Sequence, residues 1–155
     1  IPTSPMIPDF LSAIGYLATG MGEGTGIRQD DYFKWVGGKN IDSKVFAYKL
    51  NQIGLSGVHF TPKTKEEWGG VQLNITDIRT FQPAYTGLCI LSCAHKLTSF
   101  PVPKGDGELT MFEKIMGTSI VGSLIEKDVS YQDLKSAYQE SLETFKEERN
   151  KYLIY

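Results

Sequence analysis

The chain has 155 residues, 41% of them apolar, with 16 basic against 18 acidic side chains and a formal net charge of −2. Those values fit one ordinary globular domain and exclude a disordered chain. They also argue against a general nucleic-acid binder, which needs a clustered positive field, and no run reaches the ~18–20 uninterrupted apolar residues of a membrane span.

In chain order, Ile1–Pro8 carries three prolines and predicts an extended or turn-like entry. Asp9–Thr19 places Phe10, Ile14, Leu17 and Ala18 at the spacing of a short amphipathic helix. Gly20–Gly26 holds four glycines in seven residues, a permissive loop. Asp30–Asn40 is mixed and aromatic, with no clear period. Asp42 is suited to cap a helix over Ser43–Ile53 with Phe46, Leu50 and Ile53 inward, and Gly54-Leu55-Ser56-Gly57 stops it. Val58–Thr61 is short and β-prone, and Pro62–Gly69 reads as a charged loop. Val71–Thr76 alternates, with Val71, Leu73 and Ile75 on one face and Gln72, Asn74 and Thr76 on the other, the pattern of a half-covered strand.

Pro83 opens a largely buried helix over Ala84–Leu97, and Ser99–Glu108 is a Pro/Gly loop. Short helical patterns follow over Leu109–Met116 and Ser119–Glu126. Ser130 with Asp133 makes the acidic variant of a capping box for a long last helix. Its stripe of Tyr131, Leu134, Tyr138, Phe145 and Tyr152 is broken by Ser141 and Glu148, which favours packing against a sheet over a coiled-coil seam. The order predicts an α+β (mixed α/β) domain over residues 1–155, with a small three- to four-stranded sheet packed by helices.

Few residues point to chemistry on their own. Cys89 and Cys93 stand one helical turn apart; they read as small core residues, and an i, i+4 disulfide is geometrically poor. No metal site or cofactor motif is supported. Nucleophile and phosphate-loop motifs are absent, and Gly22-Glu23-Gly24-Thr25-Gly26 lacks the spacing of a dinucleotide fingerprint. Glu23 sits on bare backbone, where a carboxylate is readily presented to a ligand or simply to solvent. Asp77 follows a strand, a common place for functional and for turn-forming aspartates alike. His59 alternates with Val58 and Phe60, so it shares a polar sheet face with Gln72, Asn74 and Thr76, suited to sugar hydroxyls, a partner domain or solvent. His95 reads as a helix C-terminal dipole partner and Lys65-Glu66-Glu67 as a solvated run. Tyr32, Phe33, Trp35 and Trp68 read as irregular-segment aromatics that either stack on sugars or anchor loops. The sequon Asn74-Ile75-Thr76 falls within a predicted strand and carries little weight.

Taken in order, these features resemble the C-terminal domain of the NamZ-like exo-β-N-acetylmuramidase family, over nearly the whole chain. Thr3-Ser4-Pro5-Met6-Ile7-Pro8 is similar to the family's P-S-P-N-L-P entry, and Gly22-Glu23-Gly24 falls on its S-E-G-R-G-T. Asn40-Ile41-Asp42 falls on the end of G-A-P-W-I-D, and Gly57-Val58 and Phe60-Thr61-Pro62 match P-G-V and F-T-P. The most specific block is Gly69 through Asp77, continuing to Phe81, Pro83 and Thr86-Gly87-Leu88, against G-G-V-Q-hydrophobic-x-hydrophobic-T-D and F-x-P-x-x-T-G-L. Met116-Gly117-Thr118 resembles L-T-G-T, and Phe145, Arg149 and Tyr152-Leu153-Ile154-Tyr155 match F-x-x-x-R-x-x-Y-L-x-Y.

The resemblance implies that a larger Rossmann-like N-terminal domain is missing, which also accounts for a start at Ile1 without Met. It implies removal of N-acetylmuramic acid from the non-reducing end of peptidoglycan fragments by the intact protein, in a periplasmic or secreted setting. The principal catalytic carboxylate would lie on the missing domain, leaving the catalytic residue of this chain unassigned and the chain alone inactive. Glu23, Arg28, His59, Gln72, Asn74 and Asp77 are the expected contacts to a muropeptide or sugar. The departures are Thr25 for the family's arginine, Tyr32-Phe33-Lys34 for P-F-E, and Gly38-Lys39-Asn40 for A-P-W. They leave open a non-catalytic carbohydrate-binding or structural module derived from the same family.

Overall fold

A computed structural model describes residues 7–105 and 107–154. The proline-rich entry at 1–6 and the terminal Tyr155 lie outside them.

Helix α1 (Phe10–Thr19) starts where Asp9 Oδ1 accepts the Ser12 N–H at 2.8 Å. The predicted apolar stripe faces inward only in part: Ala18 is buried and Ile14 packs against the core, whereas Phe10 and Leu17 are exposed and Ser12, Gly15 and Thr19 are buried instead. Small residues win here because α1 packs closely on another helix, against a backbone interrupted by Gly87. A 3-10 turn, Gly20–Gly22, leads into strand β1 (Arg28–Asp30), which forms a hairpin with β2 (Trp35–Lys39). Neither strand was evident in the sequence, and the hairpin turn holds Asp31, Tyr32 and Phe33 in succession at φ 51°, 50° and 69°. Three left-handed non-glycine residues cost on the order of 1–3 kcal/mol each, so something must hold them.

Helix α2 (Ser43–Gln52) is capped as expected: Asp42 Oδ1 accepts from Lys44 N at 2.8 Å and Val45 N at 3.0 Å. Strands β3 (Val58–Pro62) and β4 (Trp68–Ile75) follow, with β4 beginning three residues before the predicted Val71. The sheet runs β1-β2-β4-β3, antiparallel throughout. The registers Val36↔Val71 and Phe60↔Leu73 gather one apolar face, joined in a single core by Phe46 and Leu50 of α2. Edge strand β3 is also held by a side chain. Asn51 Nδ2 donates to the Phe60 carbonyl at 2.8 Å while its Oδ1 accepts the Phe60 N–H at 3.0 Å, as a neighbouring strand would.

Helix α3 (Pro83–Thr98) packs on α1 and α2 and is buried from Thr86 to Ala94. Cys89 and Cys93 are unlinked core thiols, and burial pushes Cys89 up to about 12 and Cys93 in the same direction. At the end of α3, His95 Nδ1 lies 3.1 Å from Asp128 Oδ1, a partner the helix-dipole reading did not include. Helices α4 (Met111–Met116) and α5 (Ile120–Glu126) precede α6 (Tyr131–Arg149). The Ser130–Asp133 capping box is present. Contrary to expectation, α6 packs on α3 and α5 rather than on the sheet, whose β3 and β4 are covered by α2. Its one fully buried side chain is Leu134, and Phe145 is 58% exposed. The helix is about 28 Å long at ~1.5 Å per residue, so its second half stands clear of the core.

Candidate functional site

Helices cover one face of the sheet; the cross-strand register assembles the other. Arg28 stands opposite Gly37, Asp30 opposite Trp35, Trp35 opposite Gln72, Thr61 opposite Gln72, and His59 opposite Asn74. Because side chains alternate along a strand, all of these point to the face away from α2. Trp35 and Trp68, expected in irregular segments, are both strand residues of this face. Trp35 is 3% exposed despite lying there. Its indole spreads over bare glycine backbone, where a methyl group on Gly37 would meet its Cζ2 at 2.6 Å, and Nε1 donates to the Lys63 carbonyl at 2.7 Å.

Ion pairs surround that indole. Lys65 Nζ lies 5.5 Å from the Trp35 ring centroid, 2.7 Å from Asp30 Oδ2, and pairs with Asp31 Oδ1. Lys63 Nζ reaches Asp31 Oδ2 at 2.5 Å and Gln72 Oε1 at 2.8 Å. Lys65 beside Asp30 holds that carboxyl below the usual range. Burial works against ionisation of Asp31, but Lys63 and Lys65 outweigh it and lower it too. Burial likewise opposes the charge on Lys65, and the two aspartates more than compensate. Lys65 is therefore no solvated surface charge; with Lys63 it clasps the strained hairpin turn. Both aspartates are held ionised, which suits them to structure and not to proton donation.

Beside this cluster, the glycine loop bends around Thr25. Its buried Oγ1 donates to the Gly22 carbonyl at 2.6 Å and accepts the Ile27 N–H at 3.1 Å. The side chain standing where the family pattern has arginine thus turns inward and fixes the loop. Glu23 is left exposed at its rim. A cleft of ≈ 440 Å³ opens between the loop and β1, lined by Gly20, Glu23, Gly24, Arg28 and Gln29. A second cleft of ≈ 520 Å³ opens over Trp35 and Trp68 and shares Arg28 and Gln29 with the first. Gln29 Oε1 accepts from Thr19 Oγ1 at 3.0 Å, tying the shared wall to α1.

Of the six residues expected to contact ligand, Glu23 and Arg28 are brought into one cleft. Gln72 is nearby, but both ends of its amide are engaged: Oε1 accepts from Lys63, and Nε2 donates to the Lys34 carbonyl at 2.8 Å. His59 and Asn74 share the face but sit farther along it. Asn74 stands four steps along β4 from Gly70, the row of Arg28, roughly 13 Å at the usual strand rise. Asn74 Nδ2 donates to Thr61 Oγ1 at 3.2 Å. Asp77 lies past the end of β4 in a turn, where Oδ1 accepts the Arg79 N–H at 2.9 Å. Trp35, Lys63, Lys65 and Trp68 were missed as a group, since only strand pairing joins them. Among the described residues, no group of three or more His, Cys, Asp or Glu side chains gathers to hold a metal ion, and no helix is long and apolar enough to cross a membrane.

Comparison with known proteins places this geometry in context. A family model described as the C-terminal part of the exo-β-N-acetylmuramidase NamZ matches residues 14–155. The peptidoglycan β-N-acetylmuramidase NamZ of Bacillus subtilis (strain 168) is 32% identical over 165 aligned positions, covering 98% of this chain and 39% of that protein. A crystal structure of a DUF1343 family protein from Bacteroides fragilis NCTC 9343 superposes with a TM-score of 0.82 at 22% identity, covering 100% of this chain and 45% of that one. The chain therefore spans less than half the length of either relative.

Proposed function

The chain belongs to the NamZ C-terminal family, and from that membership we propose that it forms one wall of the substrate cleft of a peptidoglycan-degrading exo-glycosidase. The whole protein would release N-acetylmuramic acid from the non-reducing end of peptidoglycan fragments. A larger domain, absent from these residues, would supply the principal catalytic carboxylate, and residues 1–155 would act as its C-terminal partner.

The observation that carries this reading is the convergence of Glu23 and Arg28 on one cleft beside an aromatic-lined second one. Glycosidic cleavage draws on two carboxyl groups across the scissile bond. Asp30 and Asp31 are held ionised by lysines, so neither is suited as general acid. Glu23, with no ion pair among the described residues, is the uncommitted carboxylate that the first cleft offers to sugar hydroxyls or an amide N–H, as Glu66 is for the second. Trp68, with Arg28 held over its ring, and the strand-borne polar groups extend this wall. The test is turnover of a chromogenic N-acetylmuramic acid β-glycoside by the whole protein. Activity that falls in Glu23→Gln, with the fold intact, is the expected result; no turnover by the folded protein would remove this reading.

One observation favours a second reading, a binding module without hydrolysis. Lys34, standing where the family pattern has an acid, donates to Asp9 Oδ2 at 2.5 Å and so serves the hairpin and not the cleft. Sugar binding without turnover would identify it.

A further inference from the structure

We propose that Arg28, mounted on Trp68, reads the acidic substituent of the bound sugar and sets its direction in the cleft. This rests on the cleft-wall reading above and adds a specificity-determining residue to it.

Arg28 Cζ lies 4.2 Å from the Trp68 ring centroid. A guanidinium held over an aromatic face keeps its N–H fork for a planar, bidentate partner. The neighbouring cations are committed: Lys34 to Asp9, Lys39 to Glu67 at 2.8 Å, Lys63 to Asp31, and Lys65 to Asp30 and Asp31. Among the described residues Arg28 takes part in no ion pair, although it stands at the junction of both clefts. Glu23 lines the first cleft with it. That cleft therefore carries both a hydrogen-bond acceptor and a cationic fork. A ligand with hydroxyl or amide N–H donors and a single carboxylate fits in one direction only. Asp30 and Glu66 line the second cleft. Lys65 lines it too but is spent on Asp30 and Asp31, so among the described residues the dianion of a phosphorylated sugar would meet Arg28 as its one uncommitted cation, beside the unpaired Glu66.

The test is calorimetric titration of the whole protein with N-acetylmuramic acid, with N-acetylglucosamine (the same ring without the lactyl acid), and with N-acetylglucosamine 6-phosphate. The expected result is a preference of about tenfold for the carboxylated sugar over both others. Arg28→Gln removes that preference by weakening the carboxylated sugar far more than the neutral one; Arg28→Lys restores part of it. Equal affinity for acid and neutral sugars, or a preference that survives Arg28→Gln, overturns the assignment. So does tighter binding of the phosphorylated sugar. If Glu23→Gln weakens binding while Arg28→Gln does not, this inference falls and the cleft wall stands. If neither substitution alters any affinity, both fall.

Discussion

Trp35 and Gly70 fit against each other so closely that a single methyl group on Gly70 would run into the indole Cζ2. The glycine is required by its neighbours, the indole above it and the Val36 carbonyl 2.5 Å from the same methyl position, and not by its own backbone angles. Gly70→Ala should therefore lift Trp35 off the sheet, break its bond to the Lys63 carbonyl, and destabilise the fold by about 1–3 kcal/mol, the usual cost of overpacking. Denaturant titration reads the loss, and a red shift of tryptophan emission reports the displaced ring. A stability within 0.5 kcal/mol of the parent, roughly the scatter of neutral surface changes, would show the ring has room to move.

The clasp on the β1–β2 turn should be visible in acid. Asp30 and Asp31 have folded-state pKa values below their unfolded ones, so their stabilisation is complete above the ordinary carboxylate range and is lost as pH falls through the lowered values. Asp9, held down to about 2 first by Lys34 and then by the Ser12 N–H, behaves likewise. Asp31→Asn tolerates the left-handed angle but pairs with neither lysine. It should lower Tm at pH 7 and show a shallower fall in Tm between pH 5 and 2 than the parent. Parallel pH profiles would mean that the ion pairs contribute nothing to stability.

Asn51 is expected to matter more than its position on α2 suggests. Its amide serves both backbone groups of Phe60 at the outer edge of the sheet. Asn51→Leu strands a donor and an acceptor, at about 1–3 kcal/mol. Hydrogen exchange should speed up first at the Phe60 amide. Unchanged protection there would show that water replaces the side chain without loss.

Leu134 is the one fully buried anchor of α6. Leu134→Ala should cost about 2–5 kcal/mol and free the helix ahead of the rest of the domain. Proteolysis within 131–149, at enzyme levels that leave the parent intact, would report this. Cleavage that starts in the sheet instead would place the weakest point elsewhere.

What could be read from the sequence follows the range of the interaction. The caps at Asp42 and Ser130 act over two or three residues, and both were legible. So was the alternation of Val71, Leu73 and Ile75, and with it the polar face holding His59 and Asn74. Strand β2 was not, because Trp-Val-Gly-Gly-Lys shows no alternation until the indole is seen to cover its glycines. Lys65 looked like solvated charge because Asp31 is 34 residues away in the chain. The α1 stripe held at Ile14 and Ala18 but not at Phe10 and Leu17, where close helix packing buried small residues instead. At the site, Glu23 and Arg28 meet because one short loop joins them. Asp77, with equal claims as functional or turn-forming residue, sits in a turn.

The two buried thiols have a use beyond filling space. Burial raises both thiols' pKa values, and Tyr131 of α6, hydrogen-bonded to the Cys93 thiol, works against it, so reagent reaches that sulfur when the packing of α6 on α3 opens. The rate at which a thiol-specific dye labels Cys89 and Cys93 is thus a stopwatch for the departure of a single helix, built into the chain and needing no added probe.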